Sequence, residues 1–195
     1  MARSFDAAYE GIPPWDIGRP QPEFVRLAEA GEIVGSVLDV GCGTGEHAIY
    51  LAGLGHEVLG IAGAPRAIDK ARAKAHERGS SASFKVADAL DLSRLGRRFD
   101  TVIDSGLFHV FSDDERPRFV TSLAQVVRPG GRYIMMCFSE QQPGDWGPRR
   151  VTQAEIRIAF REGWSIEAIR PARFVASVGD GEAQAWLALI GRPVG

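Results

Sequence analysis

Asp39-Val40-Gly41-Cys42-Gly43-Thr44-Gly45 is the stretch of this sequence best suited to chemistry. Glycines at alternate positions let a backbone turn tightly and approach a ligand where a Cβ would collide. The helical run His47-Ala48-Ile49-Tyr50-Leu51-Ala52 follows. A helix start offers free N–H groups and a positive dipole end to a polar ligand group. A dinucleotide site would read G-x-G-x-x-G and seat a pyrophosphate. The spacing here is G-x-G-x-G, with Asp39 two residues before the first glycine. A carboxylate at that point repels a pyrophosphate and suits an ammonium group.

Strand and helix signals that would position this loop alternate along the chain. Strands are expected at 36–41, 57–62, 83–88, 99–104, 131–138, 165–175 and 183–191. The first five are short apolar runs, as when helices cover both faces of a sheet. Helices are expected near 22–31, 45–54, 65–78, 113–127 and 152–162. Pro65 fits a first helical turn and Gly79 a stop. Ser112 with Glu115, and Thr152 with Glu155, read as capping boxes. Pro117 falls inside the 113–127 helix and should tighten or bend its first turn. Such alternation gives a parallel sheet wound with helices. No helix separates the last two strands, and Gly179-Asp180-Gly181 supplies a turn, so an antiparallel hairpin is expected there. The fold class is α/β.

Open parallel sheets bind ligands beyond the carboxyl ends of their strands. That rule brings Asp39 to Gly45, Asp88-Ala89 and Asp104-Ser105-Gly106 to one edge, far apart though they are in sequence. A strand-terminal Asp also serves as a turn or cap residue, and both roles stay open for Asp88.

At 195 residues and 45% hydrophobic, the chain has the size and composition of one globular domain. Residues 1–31 are read as an N-terminal lid segment and helix, and 32–195 as the core. A net charge of −2 supplies no field to recruit nucleic acid or an anionic membrane. Cys42 and Cys137 lack C-x-x-C spacing, so neither a metal site nor a disulfide framework is expected. No apolar run reaches the roughly 18 residues that span a bilayer, and the first residues are no signal peptide. The expected protein is cytoplasmic, a monomer or homodimer, with a small molecule as its partner.

The loop from Asp39 to Gly45 resembles the S-adenosylmethionine (SAM) loop of class I methyltransferases, whose cofactor carries an α-amino group. Five parallel strands plus a C-terminal hairpin resemble the seven-stranded, Rossmann-like methyltransferase sheet. The resemblance covers roughly residues 12 to 191. Pro13-Pro14-Trp15-Asp16-Ile17-Gly18-Arg19-Pro20 resembles the N-terminal segment of small-molecule methyltransferases related to thiopurine methyltransferase, in which a Pro-Trp stretch folds over the cofactor. Asp104-Ser105-Gly106-Leu107-Phe108-His109-Val110-Phe111 and Arg128-Pro129-Gly130-Gly131 resemble the segments after strand four and before strand five. The resemblance implies SAM as cofactor, held by Trp15, Asp39, Gly41, Cys42, Gly43, Gly45, Asp88, Ala89, Asp104 and Ser105. It gives Asp88 the adenine amino group and the backbone N–H of Ala89 the ring.

One position departs from that pattern. Methyltransferases of this type carry Asp or Glu at the end of strand two, where the carboxylate grips both ribose hydroxyls; here Ala62 stands there. Hydrogen bonds to a charged acceptor are worth about 1.5–3 kcal/mol each, so the loss weakens binding by about one to two orders of magnitude. A residue elsewhere or a water takes over, the site serves another ligand, or the alanine is a deliberate substitution; these stay open. An alternative function follows: a degenerate methyltransferase fold that binds a ligand without catalysing transfer.

A sulfonium methyl is already activated, so positioning and desolvation supply most of the acceleration. A general base is needed only where the attacking atom is protonated. His109, five residues after Asp104, is the candidate base, or else a packing residue; His47 reads as structural. Trp15 and Trp146, set among Pro and Gly, read as an apolar lid for a flat acceptor. The polar 139–150 loop, with Gln141, Gln142, Asp145, Arg149 and Arg150, would line the acceptor entrance. The expected reaction is methyl transfer to O, S or N of a small, aromatic molecule. A nucleic-acid or protein substrate fits less well, because Asp104-Ser105-Gly106-Leu107 stands where many such enzymes carry Asn/Asp-Pro-Pro-Tyr/Phe.

Overall fold

Short β-branched and leucine-rich runs, each buried on both sides, make the centre of the molecule. The computed structural model describes residues 2–177 and 181–194. Its strands are β1 (Val37–Val40), β2 (Val58–Ala62), β3 (Ser83–Val86), β4 (Phe99–Ser105), β5 (Val127–Phe138), β6 (Ser165–Val175) and β7 (Glu182–Gly191). They form one seven-stranded sheet in the order β3-β2-β1-β4-β5-β7-β6. The first five are parallel, and β7 runs antiparallel to both β5 and β6. The strand order reverses between β1 and β4, which sets the binding edge of such a sheet at the carboxyl ends of these two strands.

The helices are α1 (Ala2–Ala8), α2 (Pro22–Glu29), α3 (Glu46–Gly53), α4 (Pro65–Glu77), α5 (Glu115–Val126) and α6 (Gln153–Ala159). The period-two alternation of each strand divides the core into two layers. Val37, Ile103, Ile134 and Met136 pack with residues of α2, α3 and α4. Leu38, Val40, Val102, Tyr133 and Met135 pack on the other face with α5 and α6.

The two expected capping boxes form. Thr152 and Glu155 exchange both bonds at α6, and Ser112 and Glu115 do so ahead of α5. Pro117 sits in the first turn of α5, where a missing N–H has no helical partner to lose. Some elements differ from expectation. β3 stops at Val86 because Asp88 caps a 3₁₀ helix, Ala89–Leu95, by accepting from the Leu90 N–H at 2.9 Å. β5 starts at Val127, running through Arg128-Pro129-Gly130-Gly131; a Cβ on Gly131 would stand 2.9 Å from two backbone carbonyls. The helix α1, Ala2–Ala8, adds to the expected helices. Of the expected hairpin turn, Gly179 and Asp180 lie outside the described residues, while β6 and β7 pair along their whole length.

Glycines of the β1–α3 loop have local reasons. Gly41, Gly43 and Gly45 take φ of +77°, +53° and +84°, which L side chains resist. A Cβ on Gly45 would also stand 2.6 Å from the Phe84 ring, whereas one on Gly79 (φ +61°) would meet nothing. Gly79→Ala should therefore cost only left-handed strain, about 1–2 kcal/mol. Gly45→Ala should cost about 1–3 kcal/mol more through overpacking. Denaturant unfolding of the two variants checks this; equal losses would mean that Phe84 yields freely.

Candidate active site

The carboxyl ends of β1, β2, β3 and β4 meet at one edge, and each carries a residue singled out in the sequence. Asp39 in β1 is 1% exposed, and its Oδ2 has no hydrogen-bond partner among the described residues. Burial pushes its carboxyl up to about 8, reinforced by Asp104 and opposed by the Ala48 backbone amide. An orphaned buried oxygen beside a glycine loop fits a ligand that brings an ammonium group to that point.

Asp104 ends differently. It is fully buried, and its Oδ1 accepts from the Leu107 N–H at 2.6 Å. Its Oδ2 accepts from the Phe108 N–H at 3.0 Å and the Tyr133 hydroxyl at 2.7 Å. Burial raises this carboxyl to about 7 against those bonds. Both oxygens accept from the chain, and Asp104, expected at the cofactor, also positions the segment that follows. Ser105, next to it, is half-buried at the end of β4.

Ala62 closes β2 and is buried, with exposed Gly63 and buried Ala64 after it. Asp88 is exposed; one of its oxygens caps the Leu90 N–H, and Ala89 opens that 3₁₀ helix. Cys42 is buried in the glycine loop, its thiol pushed up by burial and by Asp39.

The N-terminal segment lies over the loop. Asp16 accepts from the Thr44 hydroxyl at 2.7 Å, and Trp15 Nε1 donates to the Tyr9 hydroxyl at 3.0 Å. Gln21 pairs through its amide with the backbone of Val175 at the end of β6, 2.9 Å in each direction. His47 is structural, as read: its Nε2 accepts from the Gln21 N–H at 3.1 Å. Trp15 itself stays 48% exposed, edge-on to Phe5 and Tyr9.

His109 belongs to the 3₁₀ turn Phe108–Val110, brought to the edge by the Asp104 bonds. Its Nδ1 accepts from the Phe138 N–H at 3.0 Å. The neutral ring therefore carries its proton on Nε2. Burial, with the charges of Arg116 and Arg150, lowers its pKa to about 3. This geometry speaks against the expected general-base role of His109: the Nδ1 lone pair is already engaged, and the ring presents an N–H donor. Phe138 and Phe174 stand 5.3 and 6.0 Å from the imidazole, and Trp146 stands 5.7 Å from Phe138.

The 139–150 loop is largely exposed, with Ser139 and Gln142 its buried members. Gln142 is buried, accepting from the Gln184 N–H at 2.6 Å. Arg150 lies 5.5 Å over the Phe138 ring. It donates to the carbonyls of Trp146 and Pro148 at 2.7 and 2.6 Å and of Gly144 at 3.0 Å. Ser139, at the end of β5, was missed in the sequence; its buried hydroxyl has no partner among the described residues. Isolated in a polar loop, it gave no spacing signal. No helix of the described residues is long and apolar enough to cross a membrane, and no cluster of metal-ligating side chains occurs among them.

Two expectations follow from these titrations. The folded-state values of Asp39 and Asp104 lie above the ordinary carboxyl range, so between about pH 4 and 8 the folded chain holds protons that the unfolded chain has released. Stability is complete below that window and falls as pH rises through it, by up to about 1.4 kcal/mol per pH unit for each carboxyl. Thermal unfolding of the ligand-free protein across pH 5–8 should show this slope, and Asp39→Asn should flatten it; a rising stability would refute the assignment. His109 should show an Nε2-protonated imidazole in long-range proton–nitrogen NMR, unchanged from pH 5 to 9. A ring protonated on Nδ1 would restore it as a base.

Comparison with known proteins agrees with this geometry. A family described as a methyltransferase domain matches residues 37–131. The chain is 39% identical over 188 residues to the 2-heptyl-1-hydroxyquinolin-4(1H)-one methyltransferase of Mycobacteroides abscessus, covering 91% of this chain and 82% of that protein. A solved structure concerning the conversion of a disulfide bond into a thioacetal group during echinomycin biosynthesis superposes with a TM-score of 0.91 at 41% identity, over 100% of this chain and 94% of that one. The fold is shared with the magnesium protoporphyrin IX methyltransferase of Synechocystis bound to SAM, with a TM-score of 0.68 at 24% identity, covering 87% of this chain and 76% of that one. With relatives of that kind matched along almost its whole length, the chain belongs to the class I SAM-dependent methyltransferases that act on small molecules.

Proposed function

We propose that this enzyme methylates an O, S or N atom of a flat aromatic acceptor that arrives with its attacking lone pair already free of a proton. The observation that carries this reading is the His109 ring, closed in by Phe138 and Phe174 and turned out as an N–H donor. An N–H there can hold an anionic or lone-pair atom, and aromatic walls suit a planar ring. The relative from Mycobacteroides abscessus, named for a hydroxyquinolinone, supports a flat acceptor with an acidic hydroxyl.

In this reading the cofactor lies along the strand edge and supplies an activated sulfonium methyl. Asp39 receives its ammonium group, and the loop through Gly41, Cys42, Gly43 and Gly45 carries its amino-acid end. The free oxygen of Asp88 takes the adenine amino group, the Ala89 N–H meets the ring, and Ser105 lies alongside. Residues 1–31 act as a lid on a core from 32 to 195, with Trp15 covering the cofactor. Buried Phe138 and Phe174 shield His109 from water, which strengthens its electrostatic contacts. The two buried free thiols, Cys42 and Cys137, support work in the reducing cytoplasm.

The test is turnover of SAM with 1-hydroxyquinolin-4-one, thiophenol and 4-nitrophenol, followed by mass spectrometry of methylated product. Rates should rise with pH through each acceptor's own pKa and then level off. A shared titration in the ordinary histidine range, independent of the acceptor, would mean that an enzyme base takes part.

A further inference from the structure

The order of strands dictates how a ligand with one ammonium end can lie. β1, β2 and β3 are consecutive neighbours, about 4.8 Å apart. SAM is a linear sequence of amino acid, sulfonium, ribose and adenine. With the ammonium at Asp39 beyond β1 and the base at Asp88 beyond β3, the ribose crosses the end of β2. There the chain offers Ala62, Gly63 and Ala64, none with a polar side chain.

One polar side chain from elsewhere packs between this place and the glycine loop. Tyr9 is 6% exposed and packs against Ala64 and Ala67 at the start of α4. Its hydroxyl oxygen lies 3.0 Å from the point a Cβ of Gly43 would occupy. That oxygen accepts from Trp15 Nε1, while its own proton has no acceptor among the described residues. The segment carrying it is fixed on α4 by Asp6, which accepts from the Arg66 backbone N–H at 2.9 Å and from its guanidinium.

We propose that the Tyr9 hydroxyl is the ribose contact of this enzyme, donating its proton to a ribose hydroxyl oxygen over the apolar end of β2. The bond comes from the lid instead of the sheet, so cofactor binding and lid closure are one event. Burial pushes this phenol up to about 12, and the group stays a donor at any working pH. A carboxylate at position 62 would hold the ribose from below whether or not the lid is closed. With alanine there, the ribose is held only when the residues around Tyr9 and Trp15 are docked.

The inference rests on the seating of the cofactor along this edge, and calorimetry separates the two. The probes are S-adenosylhomocysteine and its 2′-deoxy and 3′-deoxy analogues, which bind without turnover. Wild-type protein should bind one deoxy analogue about five- to fiftyfold more weakly than the parent, the cost of an unsatisfied buried donor. In Tyr9→Phe, an isosteric change whose fold circular dichroism verifies, the parent should weaken to a similar degree and bind as the deoxy analogue does. Such non-additivity marks a direct contact. Absence of any S-adenosylhomocysteine binding by the wild type would overturn the cofactor seating. Equal binding of all three by the wild type, a measurement that needs no variant, would overturn the Tyr9 contact alone. Undiminished discrimination in Tyr9→Phe would do the same.

Discussion

Two carboxylates are buried at the ends of adjacent strands, and the contrast between them organises the binding edge. Burying a charge is costly unless partners replace the lost water. Asp104 has its partners within the chain: two backbone amides and the Tyr133 hydroxyl. Those bonds fold the backbone after β4 into a tight turn and so fix where His109 stands. Asp39 keeps one oxygen without a partner among the described residues. The chain has thus completed one carboxylate for itself and not the other.

From the Asp104 turn outward, one constraint leads to the next. His109 is held by the backbone of Phe138, and Phe138 is covered by the Arg150 guanidinium. Arg150 in turn gathers the carbonyls of the loop after β5, bringing Trp146 beside Phe138. Arginine suits this post because its planar fork of five donors can serve several carbonyls at once while stacking on a ring. The aromatic cluster around His109 is therefore braced from several elements. The N-terminal segment is tied at two points, by Asp16 to the glycine loop and by Gln21 to the end of β6.

Much of the fold was legible because its signals are local. Apolar runs gave the first five strands, the Gly179-Asp180-Gly181 turn gave the hairpin of the last two, and the glycine loop, Pro65 and the two capping boxes marked helix starts from neighbouring residues alone. Element ends were read less well where a distant group decides them: β5 is lengthened by pairing that Gly131 permits against the carbonyl of Asp100. Asp88 carried two readings in the sequence, and its capping bond to Leu90 is local enough that either could have been favoured.

By itself the sequence determined the α/β class, the glycine loop with its acid, the edge at which polar residues gather, and the missing acid at Ala62. These depend on residue type, spacing and strand parity, all carried along the chain. Only the tertiary structure decided what each polar group has left to offer. His109 became a donor because an amide 29 residues away occupies its Nδ1. Asp104 became a brace because Tyr133 and two amides fill it, and Tyr9 came to the end of β2 through contacts with Ala64 and Ala67. Protonation and hydrogen-bonding capacity are properties of a group's surroundings, and those surroundings are assembled only when distant segments pack together.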